Sequence, residues 1–197
     1  MNNIPDAPAS DAPAQQGRRP YWGEITARIA AAVARKDFPR GDLAALRRMD
    51  PDAPDAAVFW RLLAHHELAG NPAVEGKWAL ILHGIALMTN TSENRSAHSA
   101  TTPVGRALYL GGEEHRDGGF FSETRLNRLL TARGPMMRAL LARMFRMVGA
   151  SRPFDWREMA QLILYDGYRE DRAENARRNI ARAYYAAERR STQTQSQ

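Results

Sequence analysis

The sequence predicts an all-α protein of eight or nine short helices arranged in two small helical subdomains. Three observations carry that expectation. Apolar residues recur three and four apart through most of the chain, no stretch alternates apolar and polar residues long enough to make a strand, and prolines, glycines and asparagines interrupt the pattern at short intervals. The first subdomain is expected over residues 21–100 and the second over 101–190, between tails of 1–20 and 191–197 that are expected to be disordered.

Residues 1–20 are rich in Pro, Ala and Asp and hold no apolar run, so neither a secretory leader nor a membrane anchor is expected there. From Trp22, Ile25, Ile29 and Val33 share one helical face until Pro39 stops it. Gly41 to Met49 reads as a short helix with Leu43, Leu46 and Met49 inward. Arg47 and Arg48 close it, where cations suit the helix dipole as well as they would suit a binding surface. Asp55 is expected to cap the next helix, which turns Val58, Phe59, Leu62 and Leu63 inward and breaks at Asn71-Pro72. Val74 to Met88 is the most apolar segment and belongs at the centre, with His83 as a core histidine satisfied by a neighbour. Thr89 to Pro103 is polar and reads as a loop between the subdomains. A short helix from Val104 to Leu110 follows, with Arg106 pointing away from Val104, Ala107 and Leu108, and then a glycine-rich loop from Gly111 to Gly119.

Ser122 to Gly149 is apolar at helical spacing and almost purely cationic elsewhere. Leu126, Leu129 and Leu130 line one helix, while Met137, Leu140, Leu141, Met144, Phe145 and Val148 line a second beyond the break at Gly134-Pro135. Against the single acid Glu123 stand Arg125, Arg128, Arg133, Arg138, Arg143 and Arg146. Arg125 and Arg128 are three apart, as are Arg143 and Arg146, so each pair leaves its helix on one side, away from the apolar stripe. Asp155-Trp156-Arg157-Glu158 has the form of a capping box. A last helix from Glu170 to about Arg189 mixes arginines with acids, which predicts a solvated face with internal ion pairs.

The net charge of +6 and a pI near 10.1 point to an acidic partner, and nucleic acid fits better than a membrane because no segment is a cationic amphipath with an exposed aromatic face. Of 28 basic residues only Lys36 and Lys77 are lysine. Arginine's planar fork matches phosphate, although a GC-rich genome would produce the same bias. The lack of cysteine excludes disulfides and thiolate chemistry and suits a reducing cytoplasm.

Constellations for chemistry fail one after another. His66-Glu67 begins like a zinc-protease helix, but Gly70 stands where the second histidine should be. Gly76-Lys77 lacks the spacing of a phosphate loop, with Trp78 in place of the hydroxyl. Glu113, Glu114, His115 and Asp117 sit between glycines and read as solvated loop residues rather than metal ligands. No nucleophile motif is present, so no enzyme, metal or cofactor is expected.

Several segments carry a resemblance in order along the chain: Gly41-Asp42-Leu43-Ala44-Ala45-Leu46-Arg47-Arg48, Val58-Phe59-Trp60-Arg61-Leu62-Leu63, Pro103-Val104-Gly105-Arg106-Ala107-Leu108, Ser122 to Leu130, and Phe154-Asp155-Trp156. From about Trp22 to Arg190 the chain resembles the CasB family, the small subunit of the type I-E CRISPR surveillance complex Cascade. The resemblance implies a non-catalytic, all-helical protein that lies with a second copy of itself along the hybrid of guide RNA and target DNA and holds the displaced DNA strand. It implies cytoplasmic prokaryotic localisation, contact with other Cascade subunits and no membrane. The family's basic surface would be carried by Arg47, Arg48, Arg106, Arg125 and Arg128. Arg133, Arg138, Arg143 and Arg146 are added from the cationic stretch itself. Such contacts fix position on a backbone without reading bases. Two other readings stay open at this point, a free-standing helical DNA-binding regulator and a protein-interaction scaffold.

Overall fold

The computed structural model describes residues 22–93, 95–111, 119–149 and 152–195. Nine helices occur among them: α1 (Trp22–Val33), α2 (Arg40–Arg48), α3 (Ala57–His65), α4 (Pro72–Met88), α5 (Val104–Leu110), α6 (Glu123–Thr131), α7 (Gly134–Val148), α8 (Trp156–Tyr165) and α9 (Glu170–Gln195). No strand forms among the described residues; the only pairings are isolated bridges of Asn90 with Arg95 and of His98 with Phe154. The protein is all-α.

α4 is the axis. Every residue from Trp78 to Ile85 is buried, as are Ala86 and Met88, because α1, α2, α3, α7 and α8 all pack against it. α7 runs beside α4 in the same direction, with the Arg138 guanidinium opposite Gly76 and Phe145 opposite Gly84. At Gly84 the absence of a side chain admits Trp156 and Phe145, whose ring atoms lie 2.6 and 2.7 Å from where a Cβ would stand. The buried residues of both halves, from Ile25 to Ala187, form one continuous core, since α1 packs on α8 and α4 on α7 and α8 across the boundary expected at residue 100.

α5 crosses α9 so closely that a Cβ on Gly105 would lie 1.9 Å from the Ile180 carbonyl oxygen. The loop from Thr89 to Pro103 is pinned: Ser99 N–H donates to Phe154 O at 3.0 Å, and the Phe154 N–H donates to Ala97 O at 3.3 Å. The Trp156 N–H donates to His98 Nδ1 at 3.1 Å.

Four local expectations are corrected. Asp55 does not cap α3, whose N-cap is Ala56 without a side-chain bond. Asn71-Pro72 does not break α3, which already ends at His65; instead the Asn71 side chain accepts from Ala73 N–H at 3.1 Å and opens α4 at Pro72. Only half of the capping box forms: Asp155 accepts from Arg157 N–H at 2.9 Å, while Glu158 Oε2 accepts from Val104 N–H at 2.9 Å and caps α5 instead. Residues 191–195, expected in a disordered tail, continue α9. Nothing there breaks the helix, and the Thr192 and Thr194 hydroxyls donate back to Glu188 O and Arg190 O. Residues 1–21 and the acidic loop with Glu113, Glu114, His115 and Asp117 lie outside the described residues.

Candidate functional site

The α6–α7 hairpin sets α6 between α7 and α9. Arg125 Nη1 approaches Met147 Sδ of α7 at 3.8 Å; on the other side the Tyr185 hydroxyl donates to Glu123 Oε1 at 2.9 Å, and Arg133 pairs with Glu174. α6 is therefore antiparallel to both neighbours, in a row of three helices whose inner faces hold Leu126, Leu129, Met137, Leu141, Phe145, Ile180 and Tyr184. With the apolar stripe buried, the helical period turns Arg125, Arg128, Arg143 and Arg146 outward, and all four are exposed. None of them forms an ion pair among the described residues; Arg125 has only its weak sulfur contact, and Arg146 donates to Ala142 O of its own helix at 3.1 Å.

Arg146 also marks how α2 joins this edge. His83 of α4 lies buried where α2, α4 and α7 meet, with its Nδ1–H donating to Leu46 O at 3.0 Å. Burial holds its pKa below the ordinary histidine range against the opposing hydrogen bond to Leu46 O, and the nearby Arg146 charge adds to the lowering more weakly, ahead of a small upward pull from Asp50. His83 is thus a satisfied core histidine. Arg48, exposed and without an ion pair among the described residues, leaves the end of α2 beside this junction.

Three expected binding arginines have structural duties. Arg47 folds onto the end of α4, donating from Nε to Ala86 O at 2.9 Å and from Nη2 to Thr89 O at 2.6 Å, so it serves another helix's open carbonyls. Arg133 pairs with Glu174 and donates to Leu130 O and Ala132 O. Arg138, mostly buried, binds Asp52 Oδ1 at 2.6 Å and Pro51 O at 3.2 Å, pinning α7 to the turn after α2. Arg106 is exposed and has no ion pair among the described residues, but α5 packs on α9 and α8, so it is not among the cations that the α6–α7 hairpin gathers.

Behind the row lies a buried polar knot. Asp166, at the end of α8, accepts from Arg177 Nη2 at 2.6 Å and from the Gly134 N–H that opens α7 at 2.9 Å; Arg177 also faces Glu174 at 3.1 Å and Glu170 at 3.7 Å. Lys77 reaches across from α4 to donate to Leu164 O at 3.1 Å and Asp166 O at 2.6 Å. Partial burial pulls its pKa below the usual lysine value. Glu158, shut in under α5, is pushed the other way by burial, above the ordinary carboxylate range.

The expectation of internal ion pairs along the last helix holds only for its first third. Beyond Arg177, the exposed Arg178, Arg182 and Arg189 make no ion pair among the described residues, and Arg182 has only Asn179 Oδ1 at 3.5 Å. At 3.6 residues per turn these three fall within an arc of about 40° on the outer side of α9. The signal was present in the sequence: the acids Glu170, Asp171 and Glu174 crowd the start of this helix, and only Glu188 follows. Among the described residues, no group of three or more His, Cys, Asp or Glu is placed to hold a metal ion.

The fold and this surface define an all-helical protein that buries an Arg177–Asp166 pair at its core, while the outer row of helices α7, α6 and α9 carries guanidinium groups with no ion pair among the described residues. The chain belongs to the CRISPR-associated protein Cse2 family, whose model matches residues 42–185. This is the CasB family of small subunits, and membership makes the chain a subunit of the type I-E CRISPR complex Cascade, a cytoplasmic prokaryotic assembly in which the family is structural. No curated protein and no solved structure matches the chain. No helix among the described residues is long and apolar enough to cross a membrane.

Proposed function

We propose that the outer face of α7, α6 and α9 lies on sugar-phosphate backbone within Cascade and keeps the opened DNA strand from reannealing, so stabilising the R-loop of guide RNA–target DNA hybrid and displaced strand. The observation that carries this reading is that Arg125, Arg128, Arg143 and Arg146 stand exposed on neighbouring helices with no carboxylate paired to them among the described residues. Free guanidinium groups on rigid helices are ready for charge-assisted bonds to phosphate. They supply position, and base pairing between guide and target supplies sequence. Strand exchange is close to balanced, at about 1.4 kcal/mol of DNA stacking per step, so a few backbone contacts are enough to tip it. The chain itself carries out no chemical step. A second copy beside it would lengthen the cationic track.

The test is R-loop lifetime in the assembled complex. Arg125→Ala with Arg128→Ala should shorten it, and should do so equally on targets of different sequence. Equal lifetimes in a variant that still assembles, or a loss confined to certain target sequences, would overturn the reading.

A further inference from the structure

Where the start of α1 meets the end of α3, a pocket of about 340 Å3 opens, lined by Trp22 and Arg28 of α1 and by His65, His66, Glu67 and Leu68. No residue of α6, α7 or α9 lines it. The Trp22 ring is backed by Tyr165 of α8, 5.5 Å away between ring centroids, and the His65 and His66 rings meet edge to face at 4.8 Å. Burial first, and then the charges of His65 and Arg28, hold the His66 pKa below the ordinary histidine range, so the Arg28 guanidinium acts on this imidazole. None of Arg28, His65, His66 and Glu67 has a side-chain hydrogen bond or an ion pair among the described residues.

Glu67 is the one non-glycine residue with a positive φ among the described residues, at 56°. It stands there because α3 ends in a Schellman motif, in which Glu67 N–H donates to Ala64 O at 3.2 Å and Leu68 N–H donates to Leu63 O at 2.8 Å. Glycine suits this left-handed position, and a Cβ is strained in it. The fold is therefore less stable for carrying a glutamate here, although the carboxylate holds nothing else in place. Backbone strain of this kind is kept at ligand sites, where the side chain has a use outside the fold.

The pocket offers three things at once: aromatic walls, an unpaired cation and an unpaired acceptor. Its volume lies in the range of small-molecule sites. A nucleotide whose base carries an amino group meets all three, with a plane to stack, an anionic phosphate and a donor. An aspartate or glutamate side chain has neither the plane nor the donor. We propose that this pocket binds a single nucleotide, its base against Trp22 and the imidazoles, its phosphate on Arg28 and its amino group on the Glu67 carboxylate. The site is separate from the α6–α7 face and does not rest on the reading of that face, because it takes one base where the arginine row takes only backbone.

The test titrates the full chain with AMP, GMP, CMP and UMP, with inorganic phosphate as the control, following the imidazole signals of His65 and His66 by NMR. The three nucleotides with an amino group should shift both signals, UMP should bind at least about tenfold more weakly, and phosphate alone should leave His65 and His66 unmoved. Arg28→Ala should weaken binding about tenfold. Glu67→Gly separates a ligand role from a structural one: it should raise Tm, because the strain is relieved, and yet bring AMP, GMP and CMP down to the level of UMP. The Arg125→Ala, Arg128→Ala chain should bind all four as the parent does, so failure of the phosphate-track reading leaves this site standing. A single-stranded oligonucleotide that moves the same signals and competes with AMP would identify the occupant as a unit of a strand, and one that does neither would identify it as a free nucleotide. No movement of His65 and His66 with any nucleotide, equal movement with phosphate alone, or a Glu67→Gly chain that melts lower or binds unchanged would overturn the proposal.

Discussion

The split between unpaired and paired arginines gives a quantitative prediction. Replacing Arg125, Arg128, Arg143 and Arg146 together with alanine removes four exposed cations that have no acidic partner among the described residues. Each phosphate contact on a single strand releases counterions worth about 0.7 in the slope of log affinity against log salt, so four lost contacts should flatten it by about 3. Between about 50 and 200 mM salt that difference is roughly a 50-fold change in how much affinity is lost. The contrast is a variant with Arg133→Ala and Arg138→Ala, which has the same arginine-to-alanine chemistry but removes groups already held by Glu174 and Asp52. It should leave the slope where it is, at a stability cost of about 1 kcal/mol or less per pair. The assay is a salt series of target binding by Cascade assembled with each variant, with melting curves to show that the helices are intact. If the fourfold variant assembles, melts as the parent does and keeps its slope, the outer row does not touch phosphate. If the paired arginines flatten the slope as much as the unpaired ones, pairing does not decide which guanidinium groups bind.

Three further outcomes follow from the packing. Gly105→Ala places a methyl 1.9 Å from Ile180 O and 2.6 Å from Tyr184 N, both backbone atoms that no rotamer change can move. The crossing must open, for a net loss of about 2–3 kcal/mol despite alanine's better helix propensity, read as a fall in Tm of roughly 5–10 °C; an unchanged Tm would show that α5 and α9 are not in close contact. Asp166→Asn leaves the buried Arg177 charge with Glu174 and the more distant Glu170, so the expected loss lies near the lower end of the range for a broken buried pair, about 3 kcal/mol, measured by urea denaturation. A loss below 1 kcal/mol would mean the remaining acids carry the charge unaided. For His83, whose pKa is lowered on folding, the unfolded chain binds the proton more readily, so stability is full above the unfolded value near 6.5 and falls as pH drops below it. His83→Gln should therefore flatten the decline in stability between about pH 7.5 and 5.5, and parallel curves for variant and parent would show that His83 does not titrate on unfolding.

The helices were legible because their cause is local. Apolar spacing and the breaks at Pro39, Asn71-Pro72 and Gly134-Pro135 place nearly every element, and the apolar run from Trp78 to Met88 marked α4 as central before any packing was known. The outward direction of Arg125, Arg128, Arg143 and Arg146 was legible for the same reason, because burying the leucines and methionines of α6 and α7 leaves those positions only the solvent side.

Partnership was not legible, because it depends on which groups meet across the fold. Arg47 and Arg48 are adjacent in the chain, yet one closes the end of α4, 39 and 42 residues further along, while the other has no ion pair among the described residues. Glu158 looked like the return arm of its own cap, and instead satisfies the Val104 N–H 54 residues away. A buried N–H or carbonyl takes the nearest group able to answer it, wherever in the chain that group comes from. Sequence by itself determined the all-helical class, the apolar spacing of its helices and the excess of arginine. The tertiary structure decided which of those arginines are consumed in holding helix ends and acids together and which are left unneutralised at the surface.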